Sequence, residues 1–186
     1  MTGGASYYHA SVTDLVVWQP NFQGTWQPQN IGRAQLTGHE DRVGLYAFGD
    51  LLAVQIQRAT TEALNKQAVH TVNGNQLPFY PRRLMSVSAE LHYGGMEGVL
   101  QHRRADRTYT NEANTKSYAP YAVTDLRLAA TVPVAGAWQA TLRTSIEYLT
   151  DEQYVLSAQY PMPGRQLLLG LTISYAIGGS PDKGHQ

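Results

Sequence analysis

The stretch that decides the fold class is QLLLGLTISY, residues Gln166–Tyr175. Apolar side chains recur in it at every second position, and polar or small residues alternate with them except at Leu168. The apolar set is Leu167, Leu169, Leu171, Ile173 and Tyr175. A period of two places successive side chains on opposite faces of a β-strand. The segment is therefore predicted to be a strand with one apolar face and one polar face.

The same alternation recurs along the chain and predicts about eight antiparallel strands. Three more segments alternate clearly, namely Met85–Tyr93, Thr124–Val132 and Trp138–Tyr148. Four are less regular, namely Ser6–Trp18, Ile31–Phe48, Leu51–Arg58 and Gly98–Thr108. Because the apolar residues of Ile31–Phe48 change parity near Gly38, we expect a β-bulge at that glycine.

Short and long connections alternate between these strands. The short ones lie near residues 48–51, 93–96 and 133–137, and the long ones near 19–30, 60–83, 105–118 and 151–164. Short turns on one side and long loops on the other are typical of outer-membrane β-barrels. The expected fold is therefore all-β, an antiparallel up-and-down transmembrane β-barrel.

Aromatic residues at the strand ends agree with that fold, because rings at the two membrane interfaces form girdles. Phe48, Tyr93, Trp138 and Tyr175 lie beside the short turns or the last strand end, and Trp18, Tyr121 and Tyr148 lie near the long loops. The sequence thus predicts two aromatic girdles.

Composition excludes several classes of protein. The chain has 186 residues, and its 14 Lys plus Arg balance 14 Asp plus Glu, which argues against a nucleic-acid binder. The absence of cysteine excludes disulfides and thiol chemistry. The longest apolar run, Leu167–Leu171, is far shorter than the ~20 residues of a membrane-spanning helix. Met1–Gly4 has neither the basic nor the apolar region of a signal peptide, so we expect a mature start or a start within a larger protein.

No motif for catalysis, metal binding or a cofactor is present. The six histidines form no HExxH pair, and the chain contains no P-loop, GxGxxG or GxSxG motif. The densest titratable cluster is His39-Glu40-Asp41, but on a strand Glu40 points away from its two neighbours. We therefore predict that the chain is not an enzyme and has no cofactor.

Charged residues of the regular strands occupy the polar face. They are Glu90, His92, Asp125, Arg127, Arg143 and Glu147. An Arg or Lys that faced lipid would cost ~2–4 kcal/mol at the bilayer midplane. The charges are therefore predicted to face the interior of the barrel, and the apolar set to face the membrane.

The sequence resembles the C-terminal part of the barrel of TonB-dependent outer-membrane receptors. Its end, EYLTDEQY (147–154) followed by YPMPGR (160–165) and the closing strand, is similar to the ending of that family. An earlier segment, NIGRA (30–34) with a following glycine and glutamate, is similar to another of its strands, and 77–82 and 121–126 resemble a proline-rich loop and a late strand. The residues that carry the resemblance are Asn30, Gly32, Ala34, Gly38, Glu40, Asp151, Tyr154, Pro163, Gly164, Arg165 and Tyr175.

The resemblance implies barrel strands over residues 1–175 and a flexible C-terminal extension over 176–186. It also implies a place in the outer membrane of a Gram-negative bacterium and a role in uptake of a scarce nutrient such as a ferric siderophore, haem or cobalamin. Members of the family have a plug domain and contact TonB through an N-terminal part, and the resemblance implies that residues 1–186 include neither. Since such barrels have about 22 strands, the chain is expected to be a segment that is not transport-competent by itself.

The implied partners are outer-membrane lipid, the rest of the receptor barrel and its plug. Five loop residues are the candidates for contact with a ligand, namely Tyr80, Arg82, Arg83, Arg107 and Tyr109. The alternative is a small self-closed barrel of eight strands, truncated or engineered, that acts as a scaffold or binding module. A soluble β-barrel binder or an outer-membrane enzyme is disfavoured by the alternation of loop lengths and by the missing motifs.

Overall fold

The alternating segments form one broad sheet in the computed structural model, which describes residues 1–21, 23–49, 51–157 and 160–176. The strands are β1 (Thr2–Thr13), β2 (Val16–Pro20), β3 (Trp26–Asn30), β4 (Arg33–Ala47), β5 (Leu52–Asn65), β6 (Arg83–Tyr93), β7 (Met96–Ala105), β8 (Thr108–Tyr109), β9 (Ser117–Tyr118), β10 (Tyr121–Ala135), β11 (Trp138–Glu147), β12 (Val155–Ser157), β13 (Tyr160–Pro161) and β14 (Gln166–Tyr175). In these described ranges, no helix is long and apolar enough to cross a membrane.

Eight strands make up the main sheet, in the order β1-β4-β5-β6-β7-β10-β11-β14. Each pairs antiparallel with its neighbours, which confirms the predicted all-β, up-and-down arrangement. The other six strands form three two-stranded ribbons within the long connections. Among the described residues β1 and β14 remain unpaired edges, so the self-closed barrel is not formed and the sheet is open, as expected of a segment. Residues 177–186 of the predicted extension lie outside the described residues.

The two faces of the sheet differ in chemistry, as the alternation predicted. One row of paired residues crosses seven strands and is entirely apolar: Leu45, Val54, Ala89, Leu100, Leu126, Ile146 and Leu167. We call the face that carries this row the outer face. Its leucines are highly exposed, with Leu169 at 71% and Leu171 at 66%. Arg127 and Arg143 lie on the opposite, inner face, since they alternate with Leu128 and Leu142.

A tight two-glycine turn at the short-turn end, hereafter the bottom of the sheet, joins β6 to β7. Gly94 and Gly95 both have positive φ, 56° and 80°. Two-residue hairpins of type I′ need positive φ at both central positions, which glycine adopts without strain. A Cβ at Gly95 would also lie 2.8 Å from the carbonyl oxygen of Thr131 on β10. The turn therefore requires glycine for both backbone conformation and packing.

The parity change in β4 has a cause other than a bulge. This strand pairs residue by residue with β1 and β5 without a register shift, so the bulge predicted near Gly38 is wrong. In its lower half the outer positions Val43 and Leu45 are apolar, whereas in its upper half the inner positions Ala34 and Leu36 are apolar. The parity changes because the upper half leaves the apolar outer band and its inner face is covered by the long connections.

Two other expectations need correction. The segment Ser6–Trp18 is not one strand, because β1 ends at Thr13 and Val16–Pro20 pairs instead with β3 in a hairpin. The predicted upper girdle is also wrong for Tyr121 and Tyr148, which gather around Tyr154. At the bottom of the sheet the expected girdle is present, with the rings of Trp138 and Tyr175 in contact at 5.0 Å between centroids.

The apolar core lies at the long-loop end of the sheet, hereafter the top. Ile31, Ala34, Ala63 and Leu77 are buried together, and Leu15, Val17 and Leu36 pack against them. Each of the buried residues comes from the first two long connections or the strand ends next to them. The core therefore anchors loops to the sheet, and the lower sheet has two open faces.

Candidate functional site

The predicted ligand contacts Tyr80 and Tyr109 lie in two loops that meet at the top of the sheet. The backbone N–H of Phe79 donates to the carbonyl oxygen of Tyr109 at 2.8 Å and joins the loops directly. The side chain of Tyr80 is exposed, and that of Tyr109 is half-buried. The structure thus brings the two tyrosines to one region.

The three predicted arginines have different surroundings. Arg83 makes an ion pair with Asp106, with 2.6 Å between Nε and Oδ2. Arg82 Nε donates to Oε1 of Gln76 at 3.4 Å. Arg107 is exposed and has no hydrogen bond or ion pair within the part of the chain that the structure describes. Two of these arginines therefore hold loops in place, and Arg107 is available to a ligand.

Gln76 and Asn114 connect the second and third long loops, residues 66–82 and 106–120, through a reciprocal pair of hydrogen bonds. The N–H of Gln76 donates to Oδ1 of Asn114 at 2.9 Å, and Nδ2 of Asn114 donates to the carbonyl of Gln76 at 2.8 Å. Gln76 is 1% exposed, and its own Nε2 donates to the carbonyl of Tyr80 at 3.1 Å. Asn114 has φ of 54°, a conformation that asparagine tolerates better than most residues. We call these two reciprocal hydrogen bonds between Gln76 and Asn114 the latch. The latch holds together the two loops that carry Tyr80 and Tyr109.

Asn114→Ala is expected to release the latch. The change removes two hydrogen bonds and leaves the buried backbone groups of Gln76 without partners, at about 1–3 kcal/mol for each group. Hydrogen–deuterium exchange of residues 66–82 and 106–120 should rise, whereas exchange in β10 and β11 should not. Asn114→Gly removes any strain from the positive φ at this position but also lacks the side chain. It should therefore behave like the alanine variant. Unchanged protection of the Gln76 amide in both variants would refute the latch.

The motif Asn30, Gly32 and Ala34 builds a corner between β3 and β4. Oδ1 of Asn30 accepts a hydrogen bond from the N–H of Gly32 at 2.6 Å, and Gly32 has φ of 73°. The corner directs Ile31 into the core, where it is fully buried and its N–H donates to Leu15 at 2.7 Å. These motif residues therefore shape the corner that places Ile31 in the core.

Gly38 and Glu40 have separate environments on the inner face. The ring of Tyr8 on β1 lies over Gly38, and its hydroxyl forms a hydrogen bond of 2.7 Å with the Oγ1 of Thr61 on β5. Glu40, one inner position further down β4, lines a cavity. Gly38 thus makes room for a ring that spans three strands. The parity change at this glycine had predicted a bulge instead.

The motif at the end of the chain closes a long loop at its base. Asp151 Oδ1 accepts a hydrogen bond from the N–H of Arg165 at 2.8 Å and lies against Gly164, where a Cβ would approach it to 2.7 Å. Asp151 has φ of 54°. Pro163 next to this closure is exposed, and Tyr175 packs on Trp138. These motif residues therefore shape the loop and the last strand.

A cavity of 620 Å³ lies against the inner face, at mid-height on β4 and β5 and near the upper ends of β6 and β7, and six strands from β1 to β10 border it. Its floor is made of small residues, including Gly4, Ser6, Ala59 and Ala105. The larger polar side chains that border it are Glu40, Arg42, Gln57, Arg103 and Tyr121. None of these was predicted as a ligand contact. The signal that could have found them is the run of polar residues at inner positions of neighbouring strands, which pair across the sheet as Arg42, Gln57, Ser86 and Arg103.

Arg103 is held in this cavity wall by a buried carboxylate. The Nη2 of Arg103 lies 2.7 Å from Oδ2 of Asp125. Asp125 is 4% exposed, and its Oδ1 accepts a hydrogen bond of 3.0 Å from the backbone N–H of Tyr148. Half of the Arg103 side chain is exposed. A buried carboxylate with an ionic partner and a backbone donor is well satisfied. Asp125 therefore ties β7, β10 and the start of the last long loop together.

Three tyrosines pack beside this ion pair. The rings of Tyr121 and Tyr154 stack at 4.3 Å, and Tyr148 lies 6.1 Å from Tyr154. Burial, followed by the hydrogen bond to Tyr148, raises the pKa of Tyr154 to about 12. The Tyr154 hydroxyl therefore stays protonated at neutral pH, and Tyr121, which stacks on it, lines the cavity.

No three His, Asp or Glu side chains come together as a metal site in the residues that the structure describes. The ion pair of His39 with Asp41, at 3.5 Å, leaves Glu40 on the other face, as the alternation predicted. The side chains and backbone groups at the top of the sheet that could contact a ligand are arginines, tyrosines and loop amides.

Comparison with known proteins gives a family and a set of similar structures. The family described as TonB dependent receptor-like, beta-barrel matches residues 1–149. No curated protein sequence matches the chain. The ferric preacinetobactin receptor BauA of Acinetobacter baumannii has a TM-score of 0.73 at 15% identity, over 93% of this chain and 27% of that one.

Two other solved proteins are similar to the same extent. The copper transporter OprC has a TM-score of 0.70 at 16% identity, over 94% of this chain and 28% of its own. The ferric yersiniabactin uptake receptor FyuA of Yersinia pestis has a TM-score of 0.64 at 17% identity, over 92% of this chain and 27% of that one. At these identities the likeness shows the fold, and the chain spans about a quarter of the length of each solved protein.

Proposed function

The chain belongs to the TonB-dependent receptor-like β-barrel family, and on that premise we propose that residues 1–175 form part of the wall of an outer-membrane receptor for an anionic ferric siderophore. The observation that carries the ligand class is the inner cavity, which Arg42, the half-exposed Arg103 and Tyr121 border together with one carboxylate, Glu40. Because Arg103 is already paired with Asp125, Arg42 is the cation most available to an anionic ligand. Guanidinium groups bind carboxylates and other oxyanions through paired hydrogen bonds, and an aromatic ring suits the planar groups of such chelators.

The proposed location is the outer membrane of a Gram-negative bacterium, with the outer face in lipid. An apolar band covers this face, and its leucines and valines are exposed in the sheet. On the inner face, Arg127 and Arg143 avoid the ~2–4 kcal/mol that each would cost at the bilayer midplane. The aromatic residues at the bottom of the sheet suit the membrane interface near the short turns.

Uptake in this proposal is a property of the complete receptor. The solved relatives BauA, a ferric preacinetobactin receptor, and FyuA, a ferric yersiniabactin uptake receptor, are several times longer than this chain. Open edges at β1 and β14 leave unpaired backbone groups that lipid cannot satisfy. Further strands, a plug and a TonB contact are therefore the proposed partners, and residues 1–186 alone are not expected to transport.

Arg42→Glu tests the ligand class. Reversal of this charge should weaken binding of an anionic ferric siderophore about tenfold, equivalent to about 1.4 kcal/mol, in the receptor as the cell makes it. Uptake of radiolabelled iron in a strain that lacks the native gene should fall in parallel. Arg127→Glu is the matched control, because Arg127 lies on the same face but outside the cavity.

The panel of chelates should include catecholate, hydroxamate and citrate complexes, with haem and cobalamin as other cargo. The proposal is supported if the wild-type receptor binds a catecholate or carboxylate iron chelate more tightly than the other cargo and Arg42→Glu loses this preference. Wild-type protein that binds none of the iron chelates, or Arg42→Glu that binds them as wild type does, would refute it.

A further inference from the structure

One edge of the inner cavity carries two opposite charges, Glu40 and Arg42, that do not bind each other. Both residues lie at inner positions of β4, two residues apart, which places their Cβ atoms about 7 Å from each other. Both side chains are exposed. Among the described residues, neither has a hydrogen bond or an ion pair. This edge of the cavity therefore presents a carboxylate and a guanidinium side by side, and both can bind a ligand.

The residues around these two charges do not neutralise them. Their partners across the sheet are uncharged, namely Ser6, Ala59, Gly4 and Gln57. Asp41, which lies between them in the chain, is on the outer face and contacts His39 at 3.5 Å. The other inward-facing arginine of the cavity, Arg103, is three strand spacings from Arg42, about 14 Å, and is bound to Asp125. Opposite charges for Glu40 and Arg42 must therefore come from a ligand.

The cavity floor beside Glu40 is small and apolar. The row of paired residues that starts at Glu40 crosses the sheet to Tyr121 through Ala59, Leu84 and Ala105. Four strand spacings, about 19 Å, separate its two ends. The volume of 620 Å³ suits a small-molecule ligand. One end of an elongated ligand can therefore lie against β4 while its planar part reaches the ring of Tyr121.

We propose that Glu40 and Arg42 bind a free α-amino acid group of the ligand, with its ammonium at Glu40 and its carboxylate at Arg42. The inference rests on the proposed function, since it specifies which ferric siderophores the same cavity accepts. An α-amino acid carries both charges on one carbon, which matches two side chains at adjacent inner positions of one strand. The guanidinium binds the carboxylate through paired hydrogen bonds, and the carboxylate of Glu40 accepts hydrogen bonds from the ammonium. Each charge then has an opposite partner.

Glu40 also acts against ligands that lack the ammonium. A ligand whose end at β4 carries only carboxylates would bring a like charge against Glu40, which lowers affinity. A ligand with an amine and no carboxylate would face Arg42 in the same way. The two residues therefore select the zwitterionic end both by attraction and by repulsion.

The test uses three ferric complexes and the receptor as the cell makes it. The first chelator is lysine with a catechol-bearing acyl group on its side-chain amine, which leaves the α-amino acid free. The second has the α-amine acetylated, and the third has the α-carboxylate as its methyl ester. Binding is measured by equilibrium dialysis of the complexes with radiolabelled iron.

Glu40→Gln is the main variant, because it removes the charge and keeps the shape of an exposed side chain. Glu90→Gln is the matched control, since Glu90 lies at an inner position of β6 outside the cavity. Wild type and Glu90→Gln should bind the free form at least about tenfold more tightly than the acetylated form. In Glu40→Gln this ratio should fall to about one, and Arg42→Gln should lose the preference for the free form over the methyl ester.

A preference for the free over the acetylated form that Glu40→Gln retains would overturn the inference. If wild type binds all three complexes equally and Arg42→Glu weakens all of them, this inference is wrong and the proposed function stands. A wild-type receptor that binds none of the iron chelates would refute the proposed function and this inference with it.

Discussion

Gly38→Ala is expected to destabilise the folded sheet by roughly 3 kcal/mol or more, beyond the usual 1–3 kcal/mol of an overpacked core position. A Cβ at this position would lie 2.5 Å from the backbone oxygen of Thr60 on β5 and 2.5 Å from the hydroxyl of Tyr8 on β1. The tyrosine can move, but the carbonyl belongs to the paired strand and cannot. Relief therefore requires β4 and β5 to separate locally.

The measurement is urea-induced unfolding in detergent, followed by tryptophan fluorescence and by the heat-dependent gel mobility of folded barrels. Gly4→Ala is the matched control, since Gly4 lies on the same face of neighbouring β1 and a Cβ there meets nothing within 4 Å. Tyr8→Ala/Gly38→Ala removes the ring but not the Thr60 contact, so it should recover only part of the loss. A Gly38→Ala variant as stable as Gly4→Ala would disprove the close approach of the backbones.

Arg103→Ala should have the second largest effect on folding, a loss of about 3 kcal/mol in the free energy of unfolding. Removal of one partner of a buried ion pair costs about 3–5 kcal/mol because the other charge is left uncompensated, and the half-exposed arginine places this case at the lower end. Asp125, which is 4% exposed, would keep only the N–H of Tyr148. The last long loop should loosen together with the sheet.

Neutralising the carboxylate as well should restore stability. Arg103→Ala/Asp125→Asn leaves no buried charge and keeps an acceptor for Tyr148, so we expect it to unfold closer to wild type than Arg103→Ala does. Arg127→Ala is the control, because this exposed arginine of the same face has no ionic partner among the described residues. If the double variant is no more stable than Arg103→Ala, the uncompensated carboxylate is not the cause.

The candidate site was only partly predictable from the sequence. Tyr80 and Tyr109 lie in the long connections at the top of the sheet, and their contact with a ligand stays a prediction. A local pattern could not show that Arg82 and Arg83 are bound by Gln76 and Asp106. Gln76 lies six residues before Arg82 in the same loop, and Asp106 belongs to the next long loop. The cavity residue Arg42 was missed for the same reason, since its neighbours Gln57 and Gly4 come from strands far along the chain.

The motif residues illustrate the difference between pattern and role. Asn30, Gly32, Asp151 and Gly164 could be identified as a shared pattern, yet only the structure shows that they form a corner and a loop closure. Gly38 was noticed through a change of parity and was interpreted as a bulge. Its actual role depends on Tyr8, thirty residues earlier, whose ring crosses the strand there.

Alternation with a period of two depends only on neighbouring residues, because strand geometry turns each side chain to the face opposite the previous one. This alternation was enough to predict the all-β class and the separation of an apolar face from a charged face, and the alternation of short and long connections predicted the antiparallel up-and-down order. The open edges, the latch of Gln76 with Asn114, the buried pair of Arg103 with Asp125 and the cavity wall were decided only by the tertiary structure. Each of these depends on strand register and loop approach, which bring together residues that no local pattern connects.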